Sequence, residues 1–200
     1  MPDSFEHMPE VVVRMPNGAL SSLAGNVDSH HEVAVADLIL VQRQVRGTVE
    51  RLVREMKPEV VGLSVMTFQR HTAKKIIALI RRLNPAARIV AGGYDPSLDA
   101  DAYMEDSYAP VDFIVRGEGE ITFRQLLRSI ENNSGFDSIA GLSYRRDGNV
   151  FHNSDRHVSR LETSDIDMPN RKARVLGGYT LLGRQEIGRA SCRERVLTDV

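Results

Sequence analysis

The pattern of apolar and polar positions switches between two periods along the chain, and that switching is its first informative feature. Short β-branched runs occur at 11–14, 31–40 ("HEVAVADLIL"), 60–65 ("VVGLSV"), 87–93 ("ARIVAGG") and 111–116 ("VDFIVR"). Between them lie segments with apolar residues every three or four positions. "ALSSLAGNV" predicts a short helix after the Asn17-Gly18 turn. Val45, Val49, Leu52, Val53 and Met56 form a stripe on a helix that stops at Lys57-Pro58, since proline disfavours helical backbone in the residue before it. Ala73, Ile76, Ile77 and Ile80 line a second stripe, with Lys74, Lys75, Arg81 and Arg82 predicted on the water side. A brief helix is predicted near 100–104, and Phe123, Leu126, Leu127 and Ile130 mark the last.

Strands alternating with helices predict an α/β fold around a parallel sheet, and right-handed crossovers then place helices on both faces. The expected architecture is a flavodoxin-like (Rossmann-like), doubly wound, five-stranded parallel sheet in the order 2-1-3-4-5 over residues 1–135. Asp147-Gly148 sits between alternating segments in "IAGLSYRRDGNVFHN", which predicts a β-hairpin extension over 136–154. Residues 155–185 are polar and irregular and read as a linker.

Composition narrows the class without naming a function. The 200 residues are 42% hydrophobic and 26% charged, as in ordinary soluble domains. A net charge of −1 supplies no basic field for nucleic acid or an anionic membrane. No apolar run approaches a membrane span, and the first ten residues are too polar for a signal peptide. One cysteine, Cys192, excludes a disulfide framework and suits a reducing cytoplasm, the expected location.

Candidate chemistry collects where the predicted strands end. In a doubly wound sheet, ligands bind beyond the carboxyl ends of the strands. Three loops there are rich in small and polar residues: Ser64-Val65-Met66-Thr67-Phe68-Gln69, Gly92-Gly93-Tyr94-Asp95-Pro96 and Arg116-Gly117-Glu118-Gly119-Glu120. Glycines allow close backbone approach, and Ser64 and Thr67 offer hydroxyls without bulk. "GEGEIT" is a poor nicotinamide loop: it follows the fifth strand, lacks a third glycine and carries carboxylates where pyrophosphate would lie. Glu118 and Glu120 fit a helix start favoured by the macrodipole better than an acid/base pair. His30-His31, at the opposite end of the sheet, and His71, opening a helix, are not read as metal ligands.

Together "VVGLSVMTFQ", "IVAGGYDPS", "VDFIVRGEGEITFRQLL" and "IAGLSYRRDGNVFHN" resemble, in order and spacing, the N-terminal cobalamin-binding domain of B12-dependent radical SAM enzymes. The resemblance runs from about residue 11 to 185. It implies a flavodoxin-like domain that holds the corrin over the strand ends and buries the nucleotide tail in a slot beside the sheet. By position, Ser64 and Thr67 would line the tail, and Met66 and Phe68 would lie near the corrin. Gly92, Gly93 and Tyr94 would flank the slot, and Arg116, Gly117, Glu118 and Gly119 would close its other side.

The Asp-x-His-x-x-Gly motif that ligates cobalt in many cobalamin domains is missing. The first strand is followed by "MPNGALSSLAGN", and Asp28-Ser29-His30 is followed by Val33 where the motif needs glycine. The resemblance therefore implies cobalt with no protein histidine beneath it and no protein metal ligand. In the family a barrel domain follows, whose Cys-x-x-x-Cys-x-x-Cys loop holds a [4Fe–4S] cluster with one iron open to S-adenosylmethionine. "ARVLGGYTLLGRQ" resembles the approach to that loop, but the cysteines do not follow. This chain is thus expected not to initiate radical chemistry alone, its partner being the missing radical SAM domain in cis. The parent is expected to be a methyltransferase or related C–C bond-forming enzyme. Residues 186–196, "EIGRASCRERV", match the translation of a sequencing adapter, so 186–200 are expected to be non-native.

Three other readings use the same fold. A phosphoacceptor receiver needs an aspartate ending the third predicted strand, where Ser64 stands. An FMN carrier needs a hydroxyl-rich loop directly after the first strand, where the serines of "MPNGALSS" come too late. A ligand-free interaction module needs neither.

Overall fold

The computed structural model describes residues 17–105, 108–157, 165–178, 180–181 and 184–185. The predicted first strand at 11–14 and the tail from 186, with Cys192, lie outside the described residues.

The elements run α1 (Gly18–Gly25), a 3-10 segment (Leu38–Gln44), α2 (Val45–Met56), β1 (Val60–Ser64), a short 3-10 turn (Thr67–Gln69), α3 (Arg70–Leu83) and β2 (Arg88–Gly92). There follow α4 (Tyr94–Leu98), α5 (Asp101–Met104), β3 (Phe113–Val115), α6 (Gly119–Glu131), β4 (Leu142–Arg146) and β5 (Asn149–His152). A two-residue pair, β6 (Thr180–Leu181) and β7 (Arg184–Gln185), stands apart.

The α/β class holds, and among the described residues the main sheet has five strands in the order β1-β2-β3-β4-β5. β1, β2 and β3, the third, fourth and fifth predicted strands, lie side by side and parallel as expected. The hairpin is not appended to this sheet but continues it. β4 pairs antiparallel with β3, and β5 with β4. Its turn uses Asp147 at φ 53° and Gly148 at φ 80°, the doubly positive pair of a type I′ turn.

The segment 31–40 departs from expectation. Instead of a sheet strand it contributes one isolated parallel bridge, Val35 to Arg174. Asp37 then caps the 3-10 segment, accepting from the Ile39 amide at 3.3 Å, and Leu38 packs into the core with α2 and α3. Alternating apolar residues satisfy a strand's pattern, but the capping aspartate and the burial available beside α2 decide for a helical turn.

Each face of the sheet has its own core. Val61, Leu63, Ala91 and Ile114 pack with Val45, Val49 and Val53 of α2 and Ala73, Ile77 and Ile80 of α3. Val60, Val90, Phe113 and Val115 pack with Phe123, Leu126 and Ile130 of α6. Most of the predicted stripe residues therefore lie on the inner faces; Leu52 and Leu127 are only partly buried, and Met56 is exposed. Arg81, predicted to face water, instead anchors the strand starts: it bonds Asp112 at 2.7 Å and the Ala87 carbonyl at 2.8 Å. α2 ends at Lys57 in the left-handed region (φ 45°) just before Pro58.

The stretch 165–178, within the predicted linker, packs across α1. Val35 and 173–175 exchange backbone hydrogen bonds of 2.7 and 3.0 Å. Asn26 both donates to and accepts from the Asp167 backbone, and the Arg174 guanidinium donates to Ser21 Oγ. A Cβ at Gly25 would fall 2.0 Å from the Met168 carbonyl oxygen, so glycine is what lets the strap lie flat.

Candidate functional site

Parallel register sets the geometry at the carboxyl ends of the strands. Ser64, Gly92 and Val115 are cross-strand partners, and so are Gly62, Val90 and Phe113 one step back. Because strand side chains alternate, both rows lie on the α6 face. Beyond Val60, that face of β1 carries only Gly62 and Ser64 before the chain turns, and both are exposed. A Cβ placed on Gly62 would have Phe123 Cζ, at 4.0 Å, as its neighbour among the described residues. The result is a bare strip along the end of β1, continued by Gly92 on β2.

Exposed apolar side chains rim the strip. Met66, Phe68, Tyr94 and Leu98 are 46%, 68%, 59% and 67% exposed, all on the loops and turns leaving β1 and β2. Such a concentration at one end of the sheet leaves a hydrophobic surface to be covered.

The predicted glycines divide by use. Gly93 adopts φ 91° and ψ −167°, a region essentially reserved for glycine, and a Cβ there would fall 2.8 Å from Val65 N. Its bare side is thus taken up by the loop after β1. A Cβ on Gly92 would sit 3.3 Å from the Val115 carbonyl oxygen, and one on Gly119 would sit 2.9 Å from Leu23 of α1. Gly117, at φ 71°, faces open space among the described residues.

Of the remaining predicted residues, Arg116 turns its guanidinium to Asp155 Oδ1 at 2.8 Å and to the Asn153 carbonyl, and its Nε is buried without an acceptor among the described residues. Glu118 is exposed at the N-cap of α6, and Glu120 lies in the first turn, favourable places for carboxylates. Thr67 directs a side-chain hydrogen bond to Asp95.

Asp95 is what sequence reasoning missed. Only 1% exposed, it accepts from Arg70 Nε at 2.6 Å, Arg70 Nη2 at 2.9 Å and the Tyr103 hydroxyl at 2.6 Å. Arg70 also reaches Asp99 at 2.9 Å. Hydrogen bonding from Arg70 outweighs burial and holds the Asp95 carboxyl below the usual carboxylate range. Burial, reinforced by the bond to Asp95, pushes the Tyr103 phenol up, and the same pairing raises Arg70. The network joins the loop after β1, through Thr67 and Arg70, to the loop after β2. The Asp95 amide, donating to the Val65 carbonyl at 3.0 Å, joins them again. Ser97 links the second loop to the third: it donates to the Gly93 carbonyl at 2.6 Å and accepts from the Gly117 amide at 3.0 Å. The available signal was the aspartate of "GGYDPS", three residues past the end of β2, but nothing along the chain pairs it with Arg70.

This arrangement by itself defines a class: an α/β domain with a rigidly linked, glycine-bearing cradle at its strand ends. The chain belongs to the B12 binding domain family, which matches residues 10–127. It is similar to an uncharacterized methyltransferase of Pyrococcus horikoshii, 26% identical over 155 residues, covering 78% of this chain and 33% of that protein. It is also similar to the cobalamin-dependent radical SAM methyltransferase TokK of Streptomyces tokunonensis, 29% identical over 160 residues, covering 78% of this chain and 20% of the other. Among solved structures, the cobalamin-dependent S-adenosylmethionine radical enzyme OxsB, with aqua-cobalamin and S-adenosylmethionine bound, shares the fold. Its TM-score is 0.66 at 22% identity, covering 78% of this chain and 21% of that one. The chain spans a third or less of the length of these relatives. Among the described residues, no helix is long and apolar enough to cross a membrane.

Proposed function

We propose that this chain holds cobalamin at the carboxyl ends of β1 and β2, with the nucleotide tail in the strip beside Gly62, Ser64 and Gly92. One observation carries the reading: within the family-matched region, the cross-strand row at the strand ends is built from serine on β1 and glycine on β2. A planar base needs a surface free of side-chain bulk, and this is where the described α6 face is bare. Ser64 supplies a hydroxyl at the strip, able to donate to or accept from a ring nitrogen. Met66, Phe68 and Tyr94 offer exposed apolar surface to the corrin, and Arg116, Gly117, Glu118 and Gly119 bound the far side. Thr67, already engaged with Asp95, positions its loop rather than meeting the tail through its hydroxyl.

Bound cobalamin supplies a cobalt centre able to carry a methyl group. The work of this chain would be to hold and orient cobalamin through the strip at Gly62, Ser64 and Gly92 and the apolar surface of Met66, Phe68 and Tyr94. We assign the intact parent to the cobalamin-dependent radical SAM methyltransferases. The remaining two-thirds or more of its length would supply a [4Fe–4S] cluster and bind S-adenosylmethionine.

Anaerobic mixing of the chain with hydroxocobalamin, followed by gel filtration, is expected to give a protein peak carrying corrin absorption. Gly62→Val separates binding from folding: its Cβ has room, valine suits a strand, and the strip is filled. Unchanged melting with lost corrin uptake is the expected pair of results. A colourless wild-type peak over repeated reconstitutions, or full uptake by Gly62→Val, overturns the placement; the former outcome favours a ligand-free interaction module.

A further inference from the structure

α6 begins at the strand ends that form the cradle and runs back, so its last residue, Glu131, lies at the opposite end of the sheet. There the loop after α1 meets it. Arg128 grips Asp28 with two bonds, Nε at 2.6 Å and Nη2 at 2.7 Å, while the His31 amide closes a turn onto the Asp28 carbonyl at 3.0 Å. That clamp sets two consecutive histidines side by side, ring centroids 4.2 Å apart, against the Glu131 carboxylate. His30 Nε2 lies 3.0 Å from Glu131 Oε1, and His31 Nε2 lies 4.0 Å from Oε2.

We propose that His30, His31 and Glu131 form a binding site for a divalent transition-metal ion of the zinc type, distinct from the cobalamin cradle. Three of their ligand atoms lie within 4.8 Å of one another. In a tetrahedral zinc site with bonds of about 2.1 Å, ligand atoms stand roughly 3.4 Å apart, and the two histidine–carboxylate separations of 3.0 and 4.0 Å fall on either side of that value. Two imidazoles and a carboxylate are a recurrent zinc donor set, with water in the fourth position.

Two further features point to a cation rather than to a surface ion pair. His31 Nε2 is buried and has no hydrogen-bond partner among the described residues, which is costly for a ring nitrogen unless something binds it. Glu131 closes α6, where the macrodipole is negative and a carboxylate is unfavourable. Arg128, three residues before it on the same helix, is already committed to Asp28. A divalent ion answers both demands. It would staple the loop after α1 to a helix end a hundred residues later in sequence.

Calorimetric titration of the full, chelator-treated chain with ZnCl2 tests this, with His31→Ala and Glu131→Gln beside the wild type. Cys192, His7, His71, His152 and His157 remain in all three proteins, so their contribution cancels in the comparison. The wild type is expected to take up one saturable equivalent, each variant to bind it at least roughly tenfold more weakly, and saturating Zn2+ to raise the wild-type melting temperature by about 5–10 °C. Replacing Zn2+ with Co2+ should give the visible bands of a tetrahedral nitrogen–oxygen site, lost in His31→Ala. No saturable equivalent in the wild type, or wild-type affinity in both variants, overturns the proposal. Neither result bears on cobalamin uptake.

Discussion

Asp95→Asn is the most informative single substitution, because shape is preserved while charge and acceptor number fall. The carboxylate accepts two bonds from Arg70, one from Tyr103 and one from Thr67. An amide has one acceptor oxygen, and its NH2 would face donors. Hydrogen bonds to charged groups contribute about 1.5–3 kcal/mol each, and breaking a buried ion pair by removing one partner costs about 3–5 kcal/mol. Arg70 is 34% exposed and keeps Asp99, so solvent and the second carboxylate soften the loss, leaving a destabilisation of about 2–4 kcal/mol. At about 2–4 °C per kcal/mol, melting should fall by roughly 5–15 °C at pH 7. The pH dependence gives an independent check. A carboxyl whose folded pKa is depressed contributes stability that is complete above its unfolded value and is lost as pH falls through the folded one. The gap between wild type and variant should therefore hold from pH 7 to about pH 5 and close only below the ordinary value of 3.8. Thermal melts of both proteins across this range measure it. An Asp95→Asn variant melting within a degree of wild type at pH 7, or a gap already gone at pH 5, would refute the reasoning. Because the same network joins two cradle loops, corrin retention by the variant should weaken alongside stability.

Gly93→Ala should destabilise by about 2–4 kcal/mol in urea, since it combines a glycine-only backbone with a Cβ 2.8–3.0 Å from Val65 and Ser64 atoms. Gly25→Ala should lift the 165–175 strap, because a Cβ 2.0 Å from a backbone oxygen cannot be accommodated. Faster amide exchange at Val35 and Val175, with the main sheet unchanged, is the expected signature. Lys57→Gly should stabilise by up to about 1 kcal/mol, read as a raised urea midpoint, by relieving a left-handed non-glycine residue at the end of α2.

Much of the fold was legible because it is written in local chemistry. The stripes of α2, α3 and α6 follow the helical period, β1 to β3 are short, largely apolar runs carrying Val or Ile, and Asp147-Gly148 favours a hairpin turn. The three loops at the strand ends stood out for a related reason: their small residues permit close approach, by another part of the chain or by a ligand. What was not legible depended on distant partners. Residues 31–40 carry a strand's alternation, yet Val35 alone exchanges backbone hydrogen bonds across the fold, with Ala173 and Val175, and no property of the segment announces that neighbour. At Gly119 and Gly93 the sequence likewise does not announce the neighbours that a Cβ would meet, Leu23 of α1 and the loop after β1.

The sequence by itself determined most element types and the parallel adjacency of β1, β2 and β3, because each rests on periodicity and on the geometry of strand–helix connections, and it singled out the loops at the carboxyl ends of those strands. Tertiary structure alone decided how that end is held. It buried Asp95 against Arg70, bridged two loops through Ser97, set Gly92 beside Ser64 on a bare face, and brought His30 and His31 to Glu131. These are contacts between residues made neighbours by folding, and their energies come from desolvation and geometry that have no counterpart along an extended chain.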